Sequence, residues 1–478
     1  MLNSDLHALE DSGPVWVNDV HSGLNPTRVA RVVSPQTIEE IVETIKFAKR
    51  EGLAVSVAGC RHAMGGQQFV SEGLLLDMRQ MNRVLDFDWE TGLLRAEAGI
   101  QWPELIATYL AAQADKACSW GIAQKQTGAD TFTLGGTLSA NAHGRGLSLR
   151  PFIQDIEAFT LVDASGRIVH CSRRENHELF ALTIGGYGLF GIVADVTIRL
   201  VPRRRLERHV EIADSRNLMG NFSQRIAEGF LYGDFQFSID EKSADFLQKG
   251  VFSCYRPTDR PVSPSPPREL GEAGWLQLLH LAYTNRALAY EKYAEYYLAT
   301  SGQVYWSDTH QLSPYLPDYA QRIPQMGAAL APSSLVITEL YVPRPFLHAF
   351  LQDAARELCA RGVIVIYGTV RLIEKDTESF LAWAGGSHAC IIFNLLVEHT
   401  SAGKEKAACA FRSLIDLAAE RGGSYYLTYH RFASISQIEK CYPQFDLFLT
   451  LKRSHDPDDI FQSDWYRHYR DLWTSRNS

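Results

Sequence analysis

The chain has 478 residues, 46% of them hydrophobic and 21% charged, with a formal net charge of −8 and a pI near 6.0. That length exceeds one ordinary core and predicts at least two domains, while the acidic balance argues against a nucleic-acid or anionic-membrane surface. No run of about 18–20 apolar residues is present to span a bilayer, and the eight cysteines (60, 118, 171, 254, 359, 390, 409, 441) show neither CxxC pairs nor metal-ligand spacing.

The N-terminus, Met1-Leu-Asn-Ser-Asp-Leu-His7, lacks a basic stretch followed by a long apolar one. With the scattered cysteines this predicts a cytoplasmic protein with reduced thiols and no metal site. Residues 28–86 read as β–α–β–β. A strand is predicted at 29–33, and Ser34-Pro-Gln-Thr37 opens a helix whose apolar spacing runs until Gly52. Further strands fall at 54–58, 74–77 and 93–98, and Gly99-Ile-Gln-Trp-Pro103 opens a helix reaching about residue 113. Residues 156–162 and 168–171 flank Asp163-Ala-Ser-Gly166 as a hairpin, and Asn176 stands where it would cap a short helix. The pattern is α+β with mixed sheets, not repeated βαβ.

After Pro202 the texture changes. Residues 206–240 are strand-like, and the proline-rich segment from Pro257 to Pro267 is a surface loop suited to a mobile flap. Residues 275–300 are helical and rich in tyrosine. Buried strands are expected at 339–342, 363–367 and 390–394, with a helix at 345–361 between them. An amphipathic helix at 404–421 stops at Gly422-Gly423. The expected division is therefore a first domain at 1–205, a sheet-plus-helix domain at 206–423, and a C-terminal segment at 424–478 that returns to the first. No internal repeat is visible.

Three glycine-rich turns stand beside strands: Val55-Ser-Val-Ala-Gly-Cys-Arg-His-Ala-Met-Gly-Gly66, Thr133-Leu-Gly-Gly-Thr-Leu-Ser-Ala-Asn-Ala-His-Gly144, and Gly185-Gly-Tyr-Gly-Leu-Phe-Gly191 before a strand at 192–200. A residue without Cβ admits a close backbone approach, so three such turns suggest a large nucleotide cofactor held by main-chain N–H groups. No G-x-G-x-x-G follows a first strand with an acidic residue about 20 positions on, which disfavours a nicotinamide Rossmann enzyme.

In order and spacing these turns resemble the FAD-binding domain of the vanillyl-alcohol oxidase/p-cresol methylhydroxylase (PCMH) superfamily, over roughly residues 28–205. His455-Asp-Pro-Asp-Asp-Ile-Phe-Gln-Ser-Asp-Trp465 resembles that family's closing segment. Within the superfamily the chain is most similar to the sugar and aldonolactone oxidases and the decaprenylphosphoryl-ribose oxidases. The resemblance implies an α+β, two-domain PCMH-type FAD-binding fold with a sheet-plus-helix substrate (cap) domain. It implies oxidation of an alcohol carbon of a sugar, polyol, lactone or related hydroxylated small molecule, with O2 or another acceptor reoxidising the flavin. The alternatives are a C=C reductase like the sterol-reductase branch, or a flavin-binding protein without turnover.

The resemblance also implies FAD contacts at Gly59, Cys60, Arg61, His62, Ala63, Met64 and Gly65 of the first turn. On and before the second turn it implies Gly128, Gly135, Gly136, Thr137, Ser139, Asn141, His143 and Gly144, and on the third strand Ile192 and Val193. His62 matches the position that carries the flavin in histidine-linked members, a role that needs a neutral, nucleophilic imidazole. Its alternative role is only to hydrogen-bond the loop or the phosphates. His143 has an alternative as a buried imidazole bonded to backbone. Cys60 and Cys118 do not fall where doubly linked members place their thioether.

Oxidation of an alcohol needs a base for the hydroxyl proton and a positive group near the flavin's N1–C2=O edge. The resemblance points for these to segments 367–372, 390–394 and 425–431, read as strands. Arg371 falls at the arginine of an acid-x-Arg triplet whose acid is replaced here by Thr369. The expectation is His430 as base and Arg371 as positive group, with Tyr429 and Asn394 reaching the cavity. Arg371 could instead form a buried ion pair with Glu339, itself a pocket candidate together with Tyr341. Tyr283, Tyr290, Tyr293, Tyr296, Tyr297, Tyr305, Trp306 and Tyr315 offer aromatic faces that suit a carbohydrate, although core packing also accounts for such residues. Oligomeric state is not legible.

Overall fold

The computed structural model describes residues 13–116, 119–262, 270–313, 316, 318–327 and 331–477. Met1–His7, Cys118, Tyr315 and the 263–267 part of the proline-rich loop lie outside the described residues.

Helix Ile38–Glu51 begins where the Thr37 side chain accepts from the Glu40 N–H, and ends at left-handed Gly52. Glu39 and Glu40 in its first turn and Lys49 and Arg50 in its last oppose the helix dipole. Its Ile41, Ile45 and Ala48 stripe packs on a parallel sheet ordered Arg31–Val33, Leu74–Asp77, Val55–Ala58. The C-terminal chain reaches this sheet's edge, where the Val55 N–H donates to Ile460 O at 2.7 Å. An antiparallel five-stranded sheet follows, ordered Ile168–Ser172, Ile156–Val162, Ile192–Arg199, Leu93–Glu97, Val84–Asp88.

The largest sheet has eight antiparallel strands, ordered Val304–Trp306, Arg205–Asp214, Lys249–Pro257, Tyr232–Phe237, Val365–Ile373, His388–Glu398, Ser333–Pro343, Ser424–Tyr425. Side chains alternate between faces along each strand. Leu340 and Val342, Val370 and Leu372, and Ile391 and Phe393 share one face with the apolar stripes of helices Leu347–Ala360 and Ser401–Ala419. Burying each such side chain stabilises the fold by about 1.5–3 kcal/mol. That fixes the register, because a one-residue slip would drive Glu339, Arg371 and Asn394 into the apolar layer.

Four local expectations are corrected. Residues 206–240 are not all strand: Leu218–Ala227 is a helix burying Leu218 and Phe222, one turn apart. Residues 133–140 are not an open turn but the N-cap and body of helix Leu134–Ala140. Asn176 makes no side-chain cap; in left-handed conformation, its Nδ2 donates back to His170 O at 2.7 Å. Of residues 425–431 only Tyr425 pairs in the sheet. The chain then bends toward the first glycine-rich turn, with the Met64 N–H donating to Thr428 O and Gln67 Nε2 to Leu427 O. The expected boundary at 206 falls one residue inside Arg205–Asp214, and the one at 424 separates Ser424–Tyr425 from the sheet it joins.

Candidate active site

The second face of the eight-stranded sheet looks onto the glycine-rich turns, and a cavity of about 650 Å³ lies between them. The turns are interlocked backbone to backbone. The Gly185 N–H donates to Leu138 O and the Tyr187 N–H to Ser139 O, both at 3.1 Å, and the Gly135 N–H donates to Ala98 O at 2.7 Å. A Cβ on Gly59 would stand 2.1 Å from Thr133 Oγ1, and one on Gly135 would stand 2.8 Å from Ala98 Cβ. Beneath the first turn, burial pushes the Asp77 carboxyl up, and Arg79 and Arg61 outweigh it to hold the group below its ordinary range.

Of the residues expected at a cofactor, Gly59, Cys60, Arg61, His62, Ala63, Met64, Gly128, Gly135, Gly136, Thr137, Ser139, His143 and Val193 line the cavity. Gly65, Asn141, Gly144 and Ile192 are not in its wall. Gly65 packs under the 426–431 segment, where a Cβ would meet Tyr429 O at 2.4 Å. Asn141 is fully buried and ties segments together: Nδ2 donates to Asp376 and Ser379, and Oδ1 accepts from the Ile153 N–H. The Gly144 N–H is taken by Gln124 Oε1, and Ile192 is buried in the core between the two N-terminal sheets.

His62 Nδ1 faces His21 Nε2 at 2.8 Å, and its Nε2 faces Thr131 Oγ1 at 2.9 Å. Its ring lies 4.2 Å from that of Phe132. Burial, helped by His21, lowers its pKa to about 3, so the imidazole is neutral at physiological pH. Burial pushes the Cys60 thiol up to about 11.

On the sheet side, Arg371, Asn394 and Tyr429 line the cavity and His430 does not. His430 stacks on Phe432, and its Nε2 meets Ser22 Oγ at 3.2 Å, so it serves the loop around Asp19 instead of the cavity. The expected base is therefore displaced. The buried Arg371–Glu339 pair is also absent among the described ion pairs, because Glu339 Oε1 is held by His143 Nε2 at 2.5 Å. Burial pushes the Glu339 carboxyl up, and His143 and Arg371 outweigh it, leaving it below the usual carboxylate range. His143 Nδ1 faces Gly144 O at 3.0 Å and so carries a proton. Glu339 Oε2 accepts from the Tyr429 hydroxyl at 3.3 Å.

No metal site was expected from spacing, yet His143, Glu339 and Cys390 bring ligand atoms within 4.8 Å of one another. The imidazole and carboxylate are already bonded to each other, and burial pushes the Cys390 thiol well up, against the thiolate a metal needs.

Several wall residues went unnamed in the sequence reading. His21 and Phe132 contact His62, and Arg145, Asp234, Gln236 and His310 line the sheet side. Asp234 and Gln236 carried a signal, the polar/apolar alternation of Tyr232-Gly-Asp-Phe-Gln-Phe237. Lys125, fully buried behind the wall with Nζ 3.0 Å from Asp130, carried none.

Residues 29–172 match the family described as FAD binding domain. L-gulono-1,4-lactone dehydrogenase of Mycobacterium tuberculosis (strain ATCC 25618 / H37Rv) is 22% identical over 466 residues, covering 95% of this chain and 98% of that protein. L-gulonolactone oxidase of Scyliorhinus torazame is 28% identical over 213 residues, 44% of this chain and 46% of that protein. L-galactono-1,4-lactone dehydrogenase, mitochondrial, of Arabidopsis thaliana is 23% identical over 227 residues, 47% and 34% respectively.

The chain is an FAD-dependent oxidoreductase with a PCMH-type FAD-binding domain. The turn side of the cavity fits that cofactor. A Cβ at Gly128 would meet nothing within 4 Å, and the wall buries Arg61 Nε, Gln68 Oε1 and Thr127 Oγ1 with no partner within the protein. No helix among the described residues of the flavoenzyme is long and apolar enough to cross a membrane.

Proposed function

We propose that the enzyme oxidises an alcohol carbon of an aldonolactone or closely related sugar. The observation that carries this reading is one cavity, walled by the glycine-rich turns on one side and by Arg371, Asn394 and the Glu339–His143 pair on the other. The lactone-oxidising names of three relatives support the substrate class. The cavity-lining residues of segments 59–64 and 135–143, with Gly128 and Val193, hold the FAD. When bound, the flavin supplies the hydride acceptor.

Glu339 takes the role first expected of His430. Its Oε2, next to the Tyr429 hydroxyl, receives the substrate's hydroxyl proton, and His143 holds the carboxylate in place. Arg371, always charged, supplies the positive group, and Asn394 orients the substrate. Anaerobic addition of L-gulono-1,4-lactone or L-galactono-1,4-lactone should bleach the flavin absorbance. A panel of aldonolactones and polyols that leaves it unbleached sinks this reading. Glu339→Gln should lower kcat by about 10²–10⁴-fold while the flavin stays bound.

His62 is proposed to carry the flavin covalently, supported by its neutral imidazole in the wall. Acid-precipitated enzyme then keeps its colour in the pellet, and His62→Ala releases it. Colour in the supernatant of the unmodified enzyme sinks the attachment alone. Reoxidation by O2 or by another acceptor is separated by comparing turnover with O2 and with an artificial dye. Cytoplasmic location is supported by seven described cysteines that are all free and is tested by cell fractionation. Limited proteolysis near 205 and 423 tests the domain division.

A further inference from the structure

The cavity continues past Arg371 along the sheet. Phe235 pairs with Val370, and this antiparallel register sets Asp234 and Gln236 beside Arg371 and Thr369 on the cavity face. Arg145, Arg208, Tyr290 and His310 complete this end. It is built of polar groups withdrawn from water: Arg145 is 8% exposed, Asp234 3%, Gln236 3% and His310 6%. Arg145 Nε, Asp234 Oδ1, Gln236 Oε1 and the Tyr290 hydroxyl are buried without a hydrogen-bond partner. Leaving such an atom unmade costs about 1–3 kcal/mol, and several of them in one wall mark a ligand position.

The chemistry of the set decides the ligand. Arg145 donates, while Asp234 and Gln236 offer acceptors. Burial, with Arg145 and Arg208 beside it, keeps His310 neutral, so its ring has one donor and one acceptor. A carboxylate or phosphate would satisfy the donors and face the Asp234 carboxylate. An ammonium would satisfy Asp234 and face two guanidiniums. Hydroxyls both donate and accept, and they satisfy the whole set without an unpaired charge.

Aromatic faces flank the polar groups. The Arg208 guanidinium lies 4.7–5.3 Å from the ring centroids of Tyr255, Tyr297 and Tyr305, and its Nε and Nη1 are taken by Tyr255 and Thr300. Arg208 therefore stiffens this end, and Arg145, with Nη2 anchored on His310 O, turns its Nε to the ligand.

We propose that this end is a subsite for the vicinal hydroxyls of a neutral polyol chain carried by the substrate, read chiefly by Arg145, Asp234 and Gln236. The inference rests on the sugar-oxidising reading and narrows it. The preferred substrate extends beyond its reacting ring, and a bare hydroxylactone fills only the part beside Arg371.

The test uses the FAD-loaded enzyme with two variants that remove polar function and little volume, Asp234→Asn and Tyr290→Phe. Calorimetric titration with xylitol and D-sorbitol, run anaerobically on the pre-reduced enzyme so that no polyol is oxidised, reads the subsite. Sodium gluconate and glucose 6-phosphate are the anionic probes. The expected result is polyol binding that weakens at least fivefold in each variant, with no tighter binding of either anion. In turnover, L-gulono-1,4-lactone should exceed 2-hydroxy-γ-butyrolactone in kcat/KM at least tenfold, and Asp234→Asn should shrink that ratio through KM. Tighter binding of an anion, or polyol affinity unchanged in both variants, overturns the subsite. Flavin left unbleached by every sugar while polyols still bind through Asp234 would sink the oxidation reading and keep the subsite.

Discussion

Asp155 is one side chain whose surroundings set a pH dependence away from the cavity wall. It is 8% exposed, accepts from Gln124 at 3.0 Å and Gln154 at 3.1 Å, and burial pushes its pKa up to about 7. The folded value lies above the unfolded value of about 3.9, so the folded state holds this proton more tightly. The resulting stabilisation is complete below pH ~4 and is lost as pH rises through about 7. Asp155→Asn keeps the shape and removes the titration. The melting temperature of the unmodified enzyme should therefore fall relative to Asp155→Asn between pH 4 and 7.5, by the equivalent of about 4 kcal/mol at most. A gap between the two that does not change with pH would show that the carboxyl is not raised. Glu339 behaves oppositely: held below the carboxylate range, it is ionised at neutral pH.

Among the elements, helix Leu134–Ala140 and helix Leu218–Ala227 show how one residue type acts in two ways. Gly135 sits where backbone meets backbone, and Gly135→Ala forces its Cβ against Ala98 Cβ at 2.8 Å and Ala98 O at 3.0 Å. Overpacking of this kind costs about 1–3 kcal/mol, and the strand end it presses on borders the cavity. Gly135→Ala should thus lower both the melting temperature and the flavin retained on purification, read as the ratio of visible to ultraviolet absorbance. Gly220 is exposed on its helix, and a Cβ there meets nothing within 4 Å. Gly220→Ala should raise stability by about 0.5–1 kcal/mol with flavin content unchanged. Equal effects at the two positions would remove the distinction between a packed and an open glycine.

For the whole molecule, the cavity is shared between the N-terminal sheets and the eight-stranded sheet, and side chains cross between them. Tyr109 donates to Asp308 at 2.9 Å, Asn141 to Asp376 at 2.9 Å, and His143 meets Glu339. A cofactor bound only by the native state stabilises by about 4 kcal/mol at a thousandfold excess over its Kd. In His62→Ala, whose flavin is no longer attached, stripping FAD should therefore lower the melting temperature of the chain as one transition, and added FAD should restore it. An unchanged melting curve would sink the cofactor cradle. The amino-acid sequence by itself determined the strands and helices with strong periodicity, such as Ile38–Glu51 and Ile192–Arg199, because hydrophobic spacing is local information. It also marked the glycine-rich segments, because a missing Cβ is visible in a sequence, but not that the second of them winds into helix Leu134–Ala140. Tertiary structure alone decided that residues 426–431 leave the sheet, that His430 turns to Ser22, and that Glu339 meets His143, 196 residues away in the chain. Those outcomes depend on strand register and on which carboxylate reaches which imidazole across the cavity, and neither is encoded within any one segment.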